Sequence, residues 1–183
     1  MSRDPNPTLK PALLEKVLVY LLEHGLADLS LRPLAKAAGT TARMLIYHFE
    51  SKEQLIVAAL SLMQDKQLAA LGDSPPPQTS SKAELKYLWQ WFSSPSFLPF
   101  VKLLFEIEAQ AMNDNALYTD FSKQTLTGWV AFVQSRFADY DKTKATLIVN
   151  VFSGLLLDLL VTHDTERVTR SFEAFATLLE KGE

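Results

Sequence analysis

The chain has 183 residues, is 48% hydrophobic and carries a net charge of −3. The length allows one long domain or two short ones, and the hydrophobic content excludes a disordered chain. Cysteine is absent, which excludes a disulfide framework, a thiolate zinc site and a cysteine nucleophile, and fits a reducing compartment.

Residues 1–7 lack the apolar stretch of a signal peptide. A first helix is predicted over about 8–24, where Leu14, Val17, Leu18, Leu21 and Leu22 fall on one stripe. Gly25 ends it at the position where a left-handed residue is wanted. Ser30 is suited to cap a second helix over 31–38, with Pro33 tolerated in its first turn because the missing N–H would lack a partner there. After Gly39, Thr41 is placed to cap a third helix over 42–49. Ser51 with Gln54 makes a capping box for a fourth, reaching about residue 71.

Residues 72–80, rich in proline and serine, are the clearest linker. Beyond it, Ser81 with Glu84 predicts a fifth helix to Trp91, and Ser94 before Pro95 predicts a sixth reaching Met112. Three more are expected over 116–138, 141–163 and 166–181. The expectation is therefore an all-α fold of about nine helices, divided into a domain over 1–60 and a second over 61–183. The apolar run around Leu155 is broken by Asp158 and is too short to cross a bilayer, so a soluble cytoplasmic protein without membrane contact is expected.

The charge balance is uneven. Residues 1–60 hold seven Lys/Arg against six Asp/Glu, and the remainder eleven against fifteen. Within 30–52, Arg32, Lys36, Arg43 and Lys52 face only Glu50, a small basic patch on an acidic protein. The same segment holds two short helices joined at Gly39, a helix-turn-helix, although such pairs also occur as packing units in helical bundles. Leu34, Ala38, Leu45 and Phe49 fall inward, and Thr41, Arg43, Met44, Tyr47 and His48 outward. A helix N-terminus at Thr41 suits a phosphate. Arg43 suits guanine, Met44 a thymine methyl, and Tyr47 and His48 a phosphate or base edge.

The run Ala38-Gly39-Thr40-Thr41-Ala42-Arg43-Met44-Leu45-Ile46-Tyr47-His48-Phe49-Glu50-Ser51-Lys52-Glu53 resembles the TetR family of repressors. The similarity covers roughly residues 8–60. Two positions depart from the family pattern. Arg43 stands where glycine is common, and Ile46 where the family has tyrosine, so that Tyr47 is displaced by one place, about 100° around a helix. The resemblance implies phosphate contacts from Thr41, His48 and Lys52 and base contacts from Arg43, Met44 and Tyr47. Ser30 and Arg32 at the start of the second helix complete the DNA-binding set.

Residues 81–183 contain all three tryptophans and every phenylalanine except Phe49. Such density means a large core. The resemblance adds a cavity for an apolar or aromatic effector, with Phe105, Met112, Trp129, Phe132, Val133 and Phe152 as walls and Glu108 and Asn150 as polar groups. Glu106 and Glu108 are two apart, so at most one points inward. The resemblance likewise implies a homodimer through the last two helices, using Val149, Ser153, Leu156, Leu157 and Leu160 with Phe172, Phe175 and Leu179.

Histidine occurs only at 24, 48 and 163, without metal spacing to a carboxylate. No phosphate loop or nucleophile elbow is present, so neither a cofactor nor an enzyme is expected. The leading expectation is a homodimeric repressor released from a pseudo-palindromic operator by an effector. A helical carrier that no longer binds DNA stays open beside it.

Overall fold

In the computed structural model, residues 9–27, 29–72, 80–137 and 139–181 are described. The expectations for residues 1–8, for most of the linker (73–79) and for residue 138 lie outside them. Among the described residues there are nine helices and no strand: α1 (Leu9–His24), α2 (Leu31–Ala38), α3 (Ala42–Phe49), α4 (Lys52–Gly72), α5 (Ser81–Phe92), α6 (Leu98–Ala111), α7 (Ala116–Arg136), α8 (Lys142–Thr162) and α9 (Thr165–Lys181).

The first four helices close on a small apolar core. Val17 and Leu21 of α1, Leu34 of α2, Leu45 of α3 and Leu55 of α4 are each fully buried. Gly25 (φ 72°) and Gly39 (φ 71°) end α1 and α2 in the left-handed region, where a side chain is strained and glycine is not. Thr41 caps α3 by accepting a hydrogen bond from the Met44 amide at 3.2 Å. Ser51 accepts from the Gln54 amide at 3.0 Å. The reciprocal half of that capping box is missing, because the Gln54 side chain donates to Glu50 at 3.2 Å instead.

α4 runs past residue 60 into the larger group of helices, against which α5–α9 pack. Here two starts differ from expectation. Ser80, not Ser81, caps α5, accepting from the Ala83 amide at 3.2 Å. Glu84 is thereby free for another task and is gripped by Arg136 of α7 at 2.6 Å. The sixth helix starts at Leu98 rather than Pro95, because the Ser94 hydroxyl turns back to donate to the Trp91 carbonyl at 2.7 Å and closes α5.

The aromatic residues interlock across the helices of this second group. Trp89 of α5 stacks on Phe172 of α9 at 5.0 Å and meets Phe152 of α8 edge-on at 5.8 Å. Phe92 meets Trp129 of α7 at 5.2 Å. Offset and edge-to-face pairs of this kind add to the stabilisation from burial alone. α8 has a mean hydropathy of 1.9 over 18 residues, enough by length and composition to cross a bilayer. Ala145, Ile148, Val149, Phe152, Leu156 and Leu159 nevertheless face the protein core.

Candidate nucleic-acid interface and helical cavity

Two places in the fold gather chemistry. The first is the outer surface of α2 and α3. Ser30 has the extended backbone of an N-cap (φ −125°, ψ 159°), yet its side chain makes no capping bond, leaving an exposed hydroxyl at the mouth of α2. Thr41 uses its oxygen as an acceptor within α3 and is exposed, with no further side-chain bond among the described residues. Arg32, Lys36 and Arg43 are exposed and make no ion pair among the described residues. Met44 is exposed, and Tyr47 is the most open ring on α3 at 66% exposure. Together these residues expose cations, hydroxyl groups and an apolar tip along α2 and α3, the inventory for phosphates and base edges.

Two residues of the expected set are placed differently. His48 is half-buried, with its Nε2 enclosed and its ring edge-on to Tyr47 at 5.2 Å. Its ring also lies edge-on to Phe49 at 6.3 Å. Lys52 does not reach outward either. Its Nζ donates to the Leu29 carbonyl at 3.3 Å and so ties the start of α4 to the loop before α2.

Sequence reasoning missed Lys16 of α1. Its Nζ donates to the Ala38 carbonyl at 3.3 Å, at the end of α2 beside the Gly39 turn. A cation at a helix C-terminus complements the exposed carbonyls there, but the 22-residue separation leaves no local signal.

The second place is a cavity of about 90 Å³ lined by α5–α8 and open to solvent on one side. Phe105, Glu108, Trp129, Phe132, Val133 and Phe152 all line it. Met112 and Asn150 do not. Met112 sits past the end of α6 and is 80% exposed, while Asn150 occupies the opposite side of α8 from Ile148 and is exposed. Val149, Ser153 and Leu156, expected at a dimer face, also line the cavity, and Ser153 is exposed. Phe172 is only 1% exposed and stacks on Trp89. Leu157 is 46% exposed, while Leu160, Phe175 and Leu179 are half-buried at the outer side of α8 and α9.

Of the side chains lining the cavity, only Glu108, Thr125 and Ser153 are polar. The Thr125 hydroxyl donates to Gln64 Oε1 at 3.2 Å, joining the cavity wall to α4. Glu108 stands at the rim, and desolvation by the surrounding apolar wall pushes its carboxyl above the usual range. On α6 two positions away, Glu106 faces the first group of helices. Its Oε2 accepts from the Leu26 amide at 2.6 Å, and a side chain at Gly25 would meet its Oε1 at 3.1 Å. One helix thus lines the cavity on one side and holds the α1–α2 turn on the other.

The fold and this surface define the class: an all-helical protein with an N-terminal helix-turn-helix and a helical domain holding a cavity. Residues 15–59 match the family model described as bacterial regulatory proteins, tetR family. No curated protein sequence matches the chain. Among solved structures, a transcriptional regulator from Rhodococcus sp. Rha1 is 18% identical with a TM-score of 0.80, over 94% of this chain and 96% of the other. A TetR-family member from Streptomyces coelicolor A3 is 25% identical with a TM-score of 0.71, over 94% and 98%. The multidrug binding protein EbrR, solved with proflavin, is 22% identical with a TM-score of 0.72, over 93% and 99%. Residues 15–59 thus match the TetR-family model, and the chain as a whole has the fold of these solved structures.

Proposed function

We propose that this protein is a homodimeric, effector-released repressor acting in the cytoplasm, with residues 1–60 reading DNA and 61–183 binding effector and partner. The observation that carries this reading is the pairing, in one chain, of an unpaired basic and aromatic face on α2–α3 with an aromatic cavity on α5–α8. Arg43 and Tyr47 reach base edges, while Ser30, Arg32 and Thr41 fix the docking on phosphates. EbrR, a protein of the same fold, binds proflavin, which supports an effector role for the cavity. The residues assigned to the effector are those lining it: Phe105, Glu108, Trp129, Phe132, Val133 and Phe152.

Dimerisation rests on the outer side of α8 and α9. Leu147 and Leu157 are about half exposed, and Val161 and Leu178 are each 71% exposed. Gly154 between them has no atom within 4 Å of the space a side chain would fill, so another backbone can approach closely. An apolar patch of this kind on two adjacent helices is unfavourable in water and is satisfied by its own symmetry mate. The two recognition helices of the dimer would then enter successive major grooves about 34–36 Å apart. An effector that prefers a different spacing of the two halves would release DNA, by its differential affinity alone.

The test is fluorescence anisotropy with the DNA flanking the gene, across a salt series, alongside a variant carrying Arg43→Ala and Tyr47→Ala. Sequence-specific binding that weakens steeply with salt, and that the variant loses, is expected. If no specific site emerges even from a selection over random sequences, the repressor reading fails and a small-molecule carrier replaces it.

A further inference from the structure

The cavity wall carries one carboxylate that has no protein partner among the described residues. Its lining is aromatic and aliphatic, with the rings of Phe92, Phe97, Trp129 and Phe152 set edge to face against one another. Into this surface α6 places Glu108, the single ionisable residue among those lining the cavity. Its carboxylate has no hydrogen bond or ion pair among the described residues. Thr125, the polar neighbour deeper in the wall, is already engaged with Gln64.

Glu108 is exposed, so water solvates its charge, and an occupant that displaces that water must replace the solvation. Ring faces and a carboxylate share one complement. Both attract a positive charge, the rings through their quadrupoles and the carboxylate directly. An anion would be repelled by Glu108, and a neutral hydrocarbon would leave it uncompensated.

Resting on the effector-site reading above, we propose that the cavity is selective for a planar aromatic cation, with Glu108 as the counter-charge at its rim and the Phe92, Trp129 and Phe152 rings as the apolar box. Desolvation already pushes the Glu108 carboxyl above its usual range, as is expected of a group whose charged form lacks its partner.

The experiment uses two probes of one shape, 1-methylquinolinium and 1-methylnaphthalene, which differ in charge alone. Their affinities for the full-length protein are measured by equilibrium dialysis, with 1-naphthoate as the anionic arm. The cation is expected to bind about tenfold more tightly than its neutral isostere, and the anion least. In Glu108→Gln that preference falls severalfold, toward the remainder that the rings alone supply, and an unchanged helical circular dichroism signal and melting temperature certify that the variant is folded. Equal binding of cation and neutral probe to the wild type overturns the charge selectivity while leaving an effector cavity standing. A preference that survives undiminished in Glu108→Gln overturns the assignment to this residue. Failure of all three probes to bind overturns the effector reading and the selectivity together.

Discussion

The short helices α2 and α3 and the long helix α8 are all apolar enough to be core, but they use their surfaces in opposite ways. In α2 and α3, polar residues mark the side that meets solvent, and Leu34, Ala38, Leu45 and Phe49 mark the side that does not. α8 is apolar nearly all round, with Ile148, Val149 and Phe152 buried while Leu147, Leu157 and Val161 are exposed. Periodicity assigns a face only where charge or polarity contrasts with the apolar stripe. A helix that must cover a cavity on one side and a neighbour on the other loses that contrast. The difference separates a surface for a charged, hydrated partner from one for apolar partners.

The strongest way to break the second group of helices without touching the first is at Arg136. Its guanidinium and the Glu84 carboxylate are 7% and 4% exposed and 2.6 Å apart, and a further bond runs from Arg136 to the Leu71 carbonyl at 3.3 Å. Arg136→Ala strands a buried carboxylate, and a loss of about 3–5 kcal/mol is expected in urea or thermal unfolding. Arg43→Ala, on the exposed face of α3, is expected to change stability by less than about 0.5 kcal/mol. If the two variants unfold alike, the contrast between a buried, structural cation and an exposed, functional one is wrong.

The link between the two groups gives the next effect in size. Glu106→Gln keeps the shape of the side chain but removes the charge that receives the Leu26 amide at 2.6 Å. A loss of about 1–2 kcal/mol is expected for a part-buried bond to a charged group. Faster amide exchange at Leu26 should accompany it, and the response of DNA binding to any effector should weaken. Normal exchange at Leu26 would mean that the bond does not hold the α1–α2 turn.

Much of the first group was legible because its signals are local. Gly25, Gly39, Thr41 and Ser51 each act within five residues of themselves, and the α2 and α3 boundaries follow from them. The second group depends on partners far apart in the chain. Glu84 and Arg136 are separated by 52 residues, and Leu26 and Glu106 by 80, so Glu84 read as half of a capping box. Val149, Ser153 and Leu156 read as a partner face for the same reason that α8 offers no polar side to orient it. Met112 and Asn150 were chosen for their side-chain chemistry, and their directions came from contacts that no spacing encodes. Lys52 matched its motif, but its destination, the Leu29 carbonyl, lies 23 residues away.

The smallest effect is expected at the corner between α8 and α9, where the outer apolar surface ends. Arg167 donates to both oxygens of Asp158, at 2.7 and 2.8 Å, and to Asp164 at 3.2 Å. The hydrogen bonds from Arg167, with a smaller one from Thr162, hold the Asp158 carboxyl below its ordinary range. Because the folded value is depressed, the stabilisation is present above the ordinary carboxyl value and is lost as the pH falls through the folded one. Arg167→Ala should therefore lower the melting temperature slightly at neutral pH and not at all once Asp158 is protonated. The group is open to solvent, so added salt should shrink the difference as well. A deficit that persists in acid would assign the role of Arg167 to its apolar stem against the helix corner. The orientation of α9 on α8, and with it the exposed face of both, would then depend on packing rather than on charge.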